Sequence, residues 1–460
     1  MGLSVPPLRP AAPALRVAWF TPMPPSRSGI AAYSAEVLPL LRQRGVDVDV
    51  YAEPASGTAA REVSARDFVW AHRRRPYDLT VYQLGNAACH DYMWGYLFRY
   101  PGLVVLHDAQ LHQARAQALL KRWKPRRADY LAEFAANHPD APPDLALLVA
   151  EGLGGSLFAH WPHVRLVLQA ARLAAVHSAA LAAQLHDTFA VAVDAVPMGV
   201  ADPLAAAPRA TAAEIRARHG VPPDAVVVGA FGGVTPEKRL PEVLKAIATL
   251  APENPALHAL IVGAPVPHYD VRADAAALGI AGRVHVTGFV PDVELGAYLL
   301  ATDICACLRW PSYGETSASW WRAMAAGRAT IITDLSHQPE LPVVDPRNWR
   351  RQGPSQLDTI AVAIPVLDEH AALVSALDVL ARSADRRGRL GAAARAYWQS
   401  HHTLDVMADA YRTLLARAAA RPAPAVDLPA HLTNTGRDRL DALLEPFGID
   451  VPGVVAPEGR

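Results

Sequence analysis

The stretch Arg309–Gly327, RWPSYGETSASWWRAMAAG, sets one carboxylate, Glu315, among small hydroxyl residues directly before a helix-forming run. Thr316, Ser317 and Ser319 stand where that helix would begin. Their hydroxyls and the free backbone N–H groups would face an anion such as a phosphate. An ionised Glu315 only accepts hydrogen bonds, which suits sugar hydroxyls. Simple helix capping explains Thr316 or Ser317 equally well but leaves Glu315 unexplained. Trp320 and Trp321 read as packing against a sheet. In GGVTPEKR, Gly232 and Gly233 admit close backbone approach, and Lys238 follows near the first turn of a helix. That lysine either meets anionic oxygens as a point charge or faces solvent. Ser28 and Gly29 open another helix in SGIAAYS, a setting for a phosphate, a sugar hydroxyl or a plain tight turn. His107 and Asp108 end the buried run VVLHD, where a polar pair is unexpected for a core and expected for a site.

These segments need elements to hold them. LRVAWF, VDVDVYAE, DLTVYQLG and GLVVLHD read as strands separated by helices, and LAAVHS and AVDAVPMGV complete that unit. A second alternating unit runs from AVVVGAFGG through HALIVGAP, RVHVTGFV, DICACLR and ATIITD to AIPVL. Alternation of this kind implies α/β domains with parallel sheets and right-handed crossovers. Two such units predict two Rossmann-like domains facing each other across a cleft. Ligands then belong beyond the carboxyl ends of the strands. That selects the loops carrying Ser28, His107, Gly232, Gly263 and Glu315, together with GFVPD. The boundaries read as a disordered 1–14, a first domain 15–205 with a helical insertion at about 109–172, and a second domain 206–390. A Pro-rich tail with one short helix spans 421–460.

At 460 residues the chain is too long for one core. Lys+Arg and Asp+Glu balance at 44 each, so charge does not point to a nucleic-acid polymer as partner. The basic clusters HRRR (72–75) and KRWKPRR (121–127) suit either a solvated face or a patch for anionic lipid or an acidic acceptor. Three cysteines form neither a disulfide framework nor a zinc pattern, as expected of a reducing cytoplasm. No signal-peptide pattern, myristoylation motif or apolar run of about 18 residues occurs. The expectation is a cytoplasmic protein, free or peripheral at the inner face of a membrane. Neither a G-x-G-x-x-G fingerprint nor a P-loop is present.

In their order and spacing, PPSRSGIAAYS, VVLHD, VHSAALAAQL, VPMGV, GGVTPEKRL, LIVGAP, VHVTGFVPDVEL and YGETSASWWRAMAAG resemble the retaining glycosyltransferases of family four, over about residues 15–415. The resemblance implies a GT-B fold and transfer of a sugar, with retention, from a nucleotide-diphosphate sugar to an acceptor hydroxyl. The donor would be a co-substrate, with no other cofactor and no metal. The acceptor would be a carbohydrate, a lipid-linked molecule or another small molecule. Carried over position by position, Phe289 and Val290 would contact the base, Lys238 the diphosphate and Glu315 the sugar hydroxyls. The amides of Thr316 and Ser317 would bind phosphate, Gly29 would meet the diphosphate from the first domain, and His107 would lie near the transferring carbon. Residues 391–420, with Tyr397, Trp398 and Tyr411, resemble the segment that crosses back to the first domain. Two departures stand out. Arg322 occupies the region of the family's second, ribose-binding glutamate, and Gly233 stands where an arginine is usual. Arg239 and Arg309 are the candidates to replace that charge. Rival readings are a nucleotide-sugar epimerase or phosphorylase on the same scaffold, or a non-catalytic nucleotide-sugar-binding protein.

Overall fold

The computed structural model describes residues 15–434 and 443–447, apart from 27, 55–60, 123–125, 206–209, 336–338 and 355. The first sheet contains β1 (Arg16–Phe20), β2 (Asp47–Ala52), β3 (Glu62–Ser64), β4 (Leu79–Leu84), β5 (Leu103–Leu106), β6 (Leu173–Val176) and β7 (Val193–Ala195). All its pairings are parallel, in the order β3-β2-β1-β4-β5-β6-β7. Buried on both faces, β5 and β6 read as continuous apolar runs, as strands covered by helices do, and β4 is buried throughout with Gln83 as its one long polar side chain. β2 alternates acids with buried residues at its start because that end reaches the surface.

The second sheet contains β8 (Val226–Phe231), β9 (Leu257–Val262), β10 (Val284–Gly288), β11 (Ile304–Cys307), β12 (Ala329–Thr333), β13 (Val343–Asp345), β14 (Arg350–Gln352) and β15 (Ala361–Ile364). Their order is β10-β9-β8-β11-β12-β15-β13-β14, parallel except for the β13–β14 hairpin at one edge. β3 and that hairpin are additions that the sequence pattern did not announce, each strand only three residues long. Strand order reverses direction between β1 and β4 in one sheet and between β8 and β11 in the other. Those reversals open the crevices in which doubly wound sheets hold ligands.

The described residues of the expected insertion contain helices and turns but no strand, with helices at His112–Gln117, Ala118–Arg122, Arg127–Asn137, Asp144–Ala150, Leu157–His160 and Arg165–Ala170. Three of its basic residues form ion pairs: Arg122 with Asp91, Arg126 with Asp129 and Arg127 with Glu151. Trp123 and Lys124 lie outside the described residues, as does most of the predicted tail helix.

The return to the first domain begins later than 391. Helix Ala384–His401 packs on the second domain, against helix Ala318–Ala325 and β12. Helix Leu404–Ala419 packs on helix Gly29–Gln43 and β4 of the first. The break falls at Thr403, whose hydroxyl caps the second helix by accepting from Val406 N at 3.3 Å. Val200 bridges Thr403 there, so both interdomain crossings lie side by side. Tyr411 anchors the return: its ring lies 5.3 Å from Trp19, and its hydroxyl accepts from Tyr33 at 2.7 Å.

Candidate active site

A cavity of ≈ 380 Å³ lies between the two domains, at the carboxyl edges of both sheets. Helix Gly29–Gln43 supplies one wall. Ser28 caps it, accepting from Ile30 N at 3.2 Å, and Gly29, Ala32, Tyr33 and Glu36 line the cavity. Those positions follow i, i+3, i+4, i+7, one stripe of a helix. Nothing lies within 4 Å of where a Gly29 side chain would stand, so the helix end is open to a ligand. Across the cavity, Ser317 caps helix Ala318–Ala325, accepting from Trp320 N at 3.3 Å. Thr316 and Ser317 line the cavity, and the two tryptophans behind them are buried, as expected of packing residues. Two helix N-termini, one from each domain, therefore open on one space, a setting that favours negative charge.

Lys238 brings a full positive charge to the same place. Its Nζ donates to the Phe231 carbonyl at 2.5 Å. Burial, with the nearby Arg309 adding, pushes its pKa down to about 8. The glycines before it are the scaffold for that approach. Gly232 has φ +92°, and a Cβ there would stand 3.0 Å from Lys238 Nζ. Gly263 does not line the cavity; it packs behind, where a Cβ would meet the Gly232 carbonyl at 1.9 Å. Gly232 and Gly233 also lie outside the lining, Gly233 with open space around it.

Glu315 lines the cavity but is also the knot of its own loop. One oxygen accepts from Arg309 Nε at 2.5 Å; the other accepts from Ser312 Oγ at 3.1 Å and Tyr313 N at 2.5 Å. A carboxylate has about four acceptor sites, so one remains for a ligand hydroxyl. Asp108 faces it from the first domain, accepting from Asn86 N at 2.7 Å. Burial pushes the Asp108 pKa up to about 6; the Asn86 N–H opposes this and the Glu315 charge adds to it. The loop itself closes the interdomain gap, with Ala109 N donating to the Tyr313 carbonyl at 2.7 Å.

His107 is held in a buried chain of hydrogen bonds. The Val196 carbonyl can only accept, so the His177 Nδ1 at 3.0 Å carries a proton. In a neutral ring His177 Nε2 then accepts from His107 Nδ1 at 3.1 Å. His107 Nε2 is 2.7 Å from the end of the Gln83 side-chain amide; a neutral ring that donates through Nδ1 must accept there, so Gln83 presents its NH2 to His107 and its oxygen accepts from the Tyr411 hydroxyl at 3.3 Å. Burial keeps both rings neutral, His107 well below the usual histidine range and His177 down to about 4. Both His107 nitrogens are engaged, so it meets the cavity as a fixed uncharged ring rather than as a base with a free lone pair.

Besides the glycines, three further expected site residues stand elsewhere. Arg239 does not line the cavity; its Nε donates to Glu369 at 2.9 Å and 3.1 Å. It therefore does not replace the arginine missing at Gly233, and of the two candidates only Arg309 reaches the cavity. Phe289 is 60% exposed and Val290 packs into the second domain, and neither lines the cavity. Their loop comes near through Asp292, 3.9 Å from Arg322. Sequence reasoning missed Glu36, which accepts from Arg322 at 3.2 Å across the domain gap. The i, i+3, i+4, i+7 stripe from Gly29 was the signal for it. Among the described residues no group of three or more His, Cys, Asp or Glu is placed to hold a metal, and no helix is long and apolar enough to cross a membrane.

The fold is GT-B: two parallel-sheet α/β domains with a cavity between them and a helix crossing back. Solved structures share it. Sucrose-phosphate synthase from Thermosynechococcus elongatus superposes with a TM-score of 0.61 at 16% identity, covering 87% of this chain and 99% of that one. WaaG, a glycosyltransferase involved in lipopolysaccharide biosynthesis, gives 0.58 at 15% identity, covering 86% and 99%. HepE from Anabaena, solved in complex with UDP and glucose, gives 0.55 at 15% identity, covering 87% and 99%. In sequence, residues 222–354 match the family model of glycosyl transferases group 1. The 2-deoxystreptamine glucosyltransferase of Streptomyces kanamyceticus is 33% identical over 149 residues, 32% of this chain and 38% of that protein. The chain thus spans well under half the length of that relative.

Proposed function

We propose that this chain is a glycosyltransferase that moves a sugar from a nucleotide-diphosphate donor to an acceptor hydroxyl, with retention of configuration. The observation that carries the reading is convergence: Lys238 and two capped helix N-termini, one from each domain, meet at a single cavity. Such a site suits a diphosphate, and it stabilises the charge that builds on that diphosphate as the sugar departs. The sugar would lie toward His107, Asp108 and Glu315, where carboxylates accept from its hydroxyls. The acceptor hydroxyl attacks from the face the diphosphate leaves, and a phosphate oxygen takes its proton, so bond making and breaking balance without a protein base. Closure of the domains excludes water and aligns the reacting atoms. The likeness to a 2-deoxystreptamine glucosyltransferase makes an aminocyclitol the first acceptor to try, and the neighbour solved with UDP and glucose makes UDP-glucose the first donor. Thermal unfolding with a panel of nucleotide sugars tests donor binding, because a ligand that binds only the folded state raises its melting temperature. A shift in the wild type that is lost in Lys238→Ala supports the reading; no shift with any member contradicts it.

A further inference from the structure

Glu36 and Arg322 form a polar pair inside the cavity that the diphosphate and sugar contacts leave unused. They come from opposite domains, both side chains are largely buried, and both line the cavity. Glu36 Oε1 accepts from Arg322 at 3.2 Å, while Oε2 has no protein hydrogen-bond partner among the described residues. Burial, opposed by the Arg322 charge, raises the Glu36 pKa. Position along the two helices locates the pair. At 1.5 Å per residue, Glu36 lies about 10 Å beyond Gly29 and Arg322 about 7 Å beyond Ser317. The pair therefore sits at the far end of the cavity from the two helix N-termini. It also sits one helical turn beyond Tyr33, whose ring packs on His107. Asp292 approaches Arg322 there, bringing the GFVPD loop to the same end.

A neutral ion pair gives no net attraction for another phosphate, unlike Lys238 with the helix ends. It offers a carboxylate oxygen that accepts and a guanidinium that donates, side by side. A vicinal diol, which donates from one hydroxyl and accepts at the other, satisfies both. We infer that Glu36 and Arg322 bind the ribose diol of the donor nucleotide, so that the first domain supplies the carboxylate for the nucleoside. Nucleoside binding then requires the two domains to be together. The inference rests on the donor reading above.

The test is isothermal titration with UDP, ADP and GDP and with their 2′,3′-dideoxy forms. A site built to hydrogen-bond hydroxyls rejects the analogue that lacks them. The wild type should prefer the ribose form of whichever nucleotide binds by about 10- to 100-fold, as expected for hydrogen bonds to a charged group. Glu36→Gln should reduce that preference to about threefold or less, while affinity for the dideoxy form changes little. The dideoxy affinity serves as the check that the variant is folded. Glu36→Asp keeps the charge but retracts it by one methylene, and should lose most of the preference too. A wild type that does not discriminate, or a Glu36→Gln protein that discriminates as the wild type does, overturns the inference and leaves the donor reading standing. Binding of none of the three nucleotides overturns the donor reading, and the inference with it.

Discussion

Lys238 gives the site a pH dependence whose sign and size follow from its surroundings. Burial holds its pKa at about 8, well below the ordinary 10.5. About nine tenths of the free protein therefore carries the charge at pH 7, and about one tenth at pH 9. If only the charged form binds a diphosphate well, affinity is nearly constant below pH 8 and falls about tenfold per unit above it, about 1.4 kcal/mol each. The assay is titration of UDP from pH 7.5 to 9.5, a range in which a terminal phosphate, with its pKa near 6, stays fully ionised. Lys238→Ala should bind about 10- to 100-fold more weakly at pH 7.5, the worth of a charge-assisted hydrogen bond. It should also lose the lysine's slope, so any residual slope reports titration of the ligand itself. Lys238→Arg, which stays charged throughout, should share that residual slope. A wild-type affinity that is flat through pH 9.5, or an identical slope in Lys238→Ala, would refute the placement of this charge on the diphosphate.

Other expected outcomes concern the scaffold. Burial keeps His107, His112, His138, His163 and His177 below the usual histidine pKa, so the unfolded chain takes up protons near pH 6.5 that the folded chain refuses. Their contribution to stability is complete above that pH and is lost as pH falls, at up to about 1.4 kcal/mol per unit for each. Urea midpoints should drop clearly between pH 7.5 and 5.5, and equal midpoints would show the rings are not held neutral. Tyr411→Ala removes the ring that ties the returning helix to Trp19 and Tyr33. It should cost about 3–5 kcal/mol in denaturant unfolding, against about 1 kcal/mol for Tyr411→Phe. Gly263→Ala would drive a Cβ to 1.9 Å from the Gly232 carbonyl, so the backbone beside Lys238 must shift. Both the melting temperature and donor affinity should fall; a variant with neither change would show that this packing does not position Lys238.

Much of the site was legible because its parts are local. A cap hydroxyl, a glycine pair before a lysine and a polar pair ending a strand each occupy one short segment. The alternation of strands and helices then placed those segments at sheet edges. Contacts between distant segments were not legible. Arg239 looked free for a ligand until Glu369, 130 residues away, was seen to hold it. His107 read as a site residue at a strand end, and nothing in its own segment showed that Gln83 and His177 occupy both its nitrogens. Glu36 was not picked out because its partner, Arg322, comes from the other domain. The domain return was placed too early because the helix-forming composition runs on from 387 to 420. Thr403 was the available stop-and-cap signal within it.

The most direct measurement is product formation. The protein is incubated with UDP-glucose and other nucleotide sugars, in turn, and with 2-deoxystreptamine and a set of simple sugar acceptors. Products are weighed by mass spectrometry, and the new anomeric linkage is read by proton NMR. The account expects an acceptor heavier by one sugar residue, carrying the donor's own anomeric configuration, with formation reduced about 10²- to 10³-fold in Lys238→Ala. Failure of a folded wild type to transfer from or hydrolyse any nucleotide sugar would contradict it, as would a product of inverted configuration for the retaining mechanism.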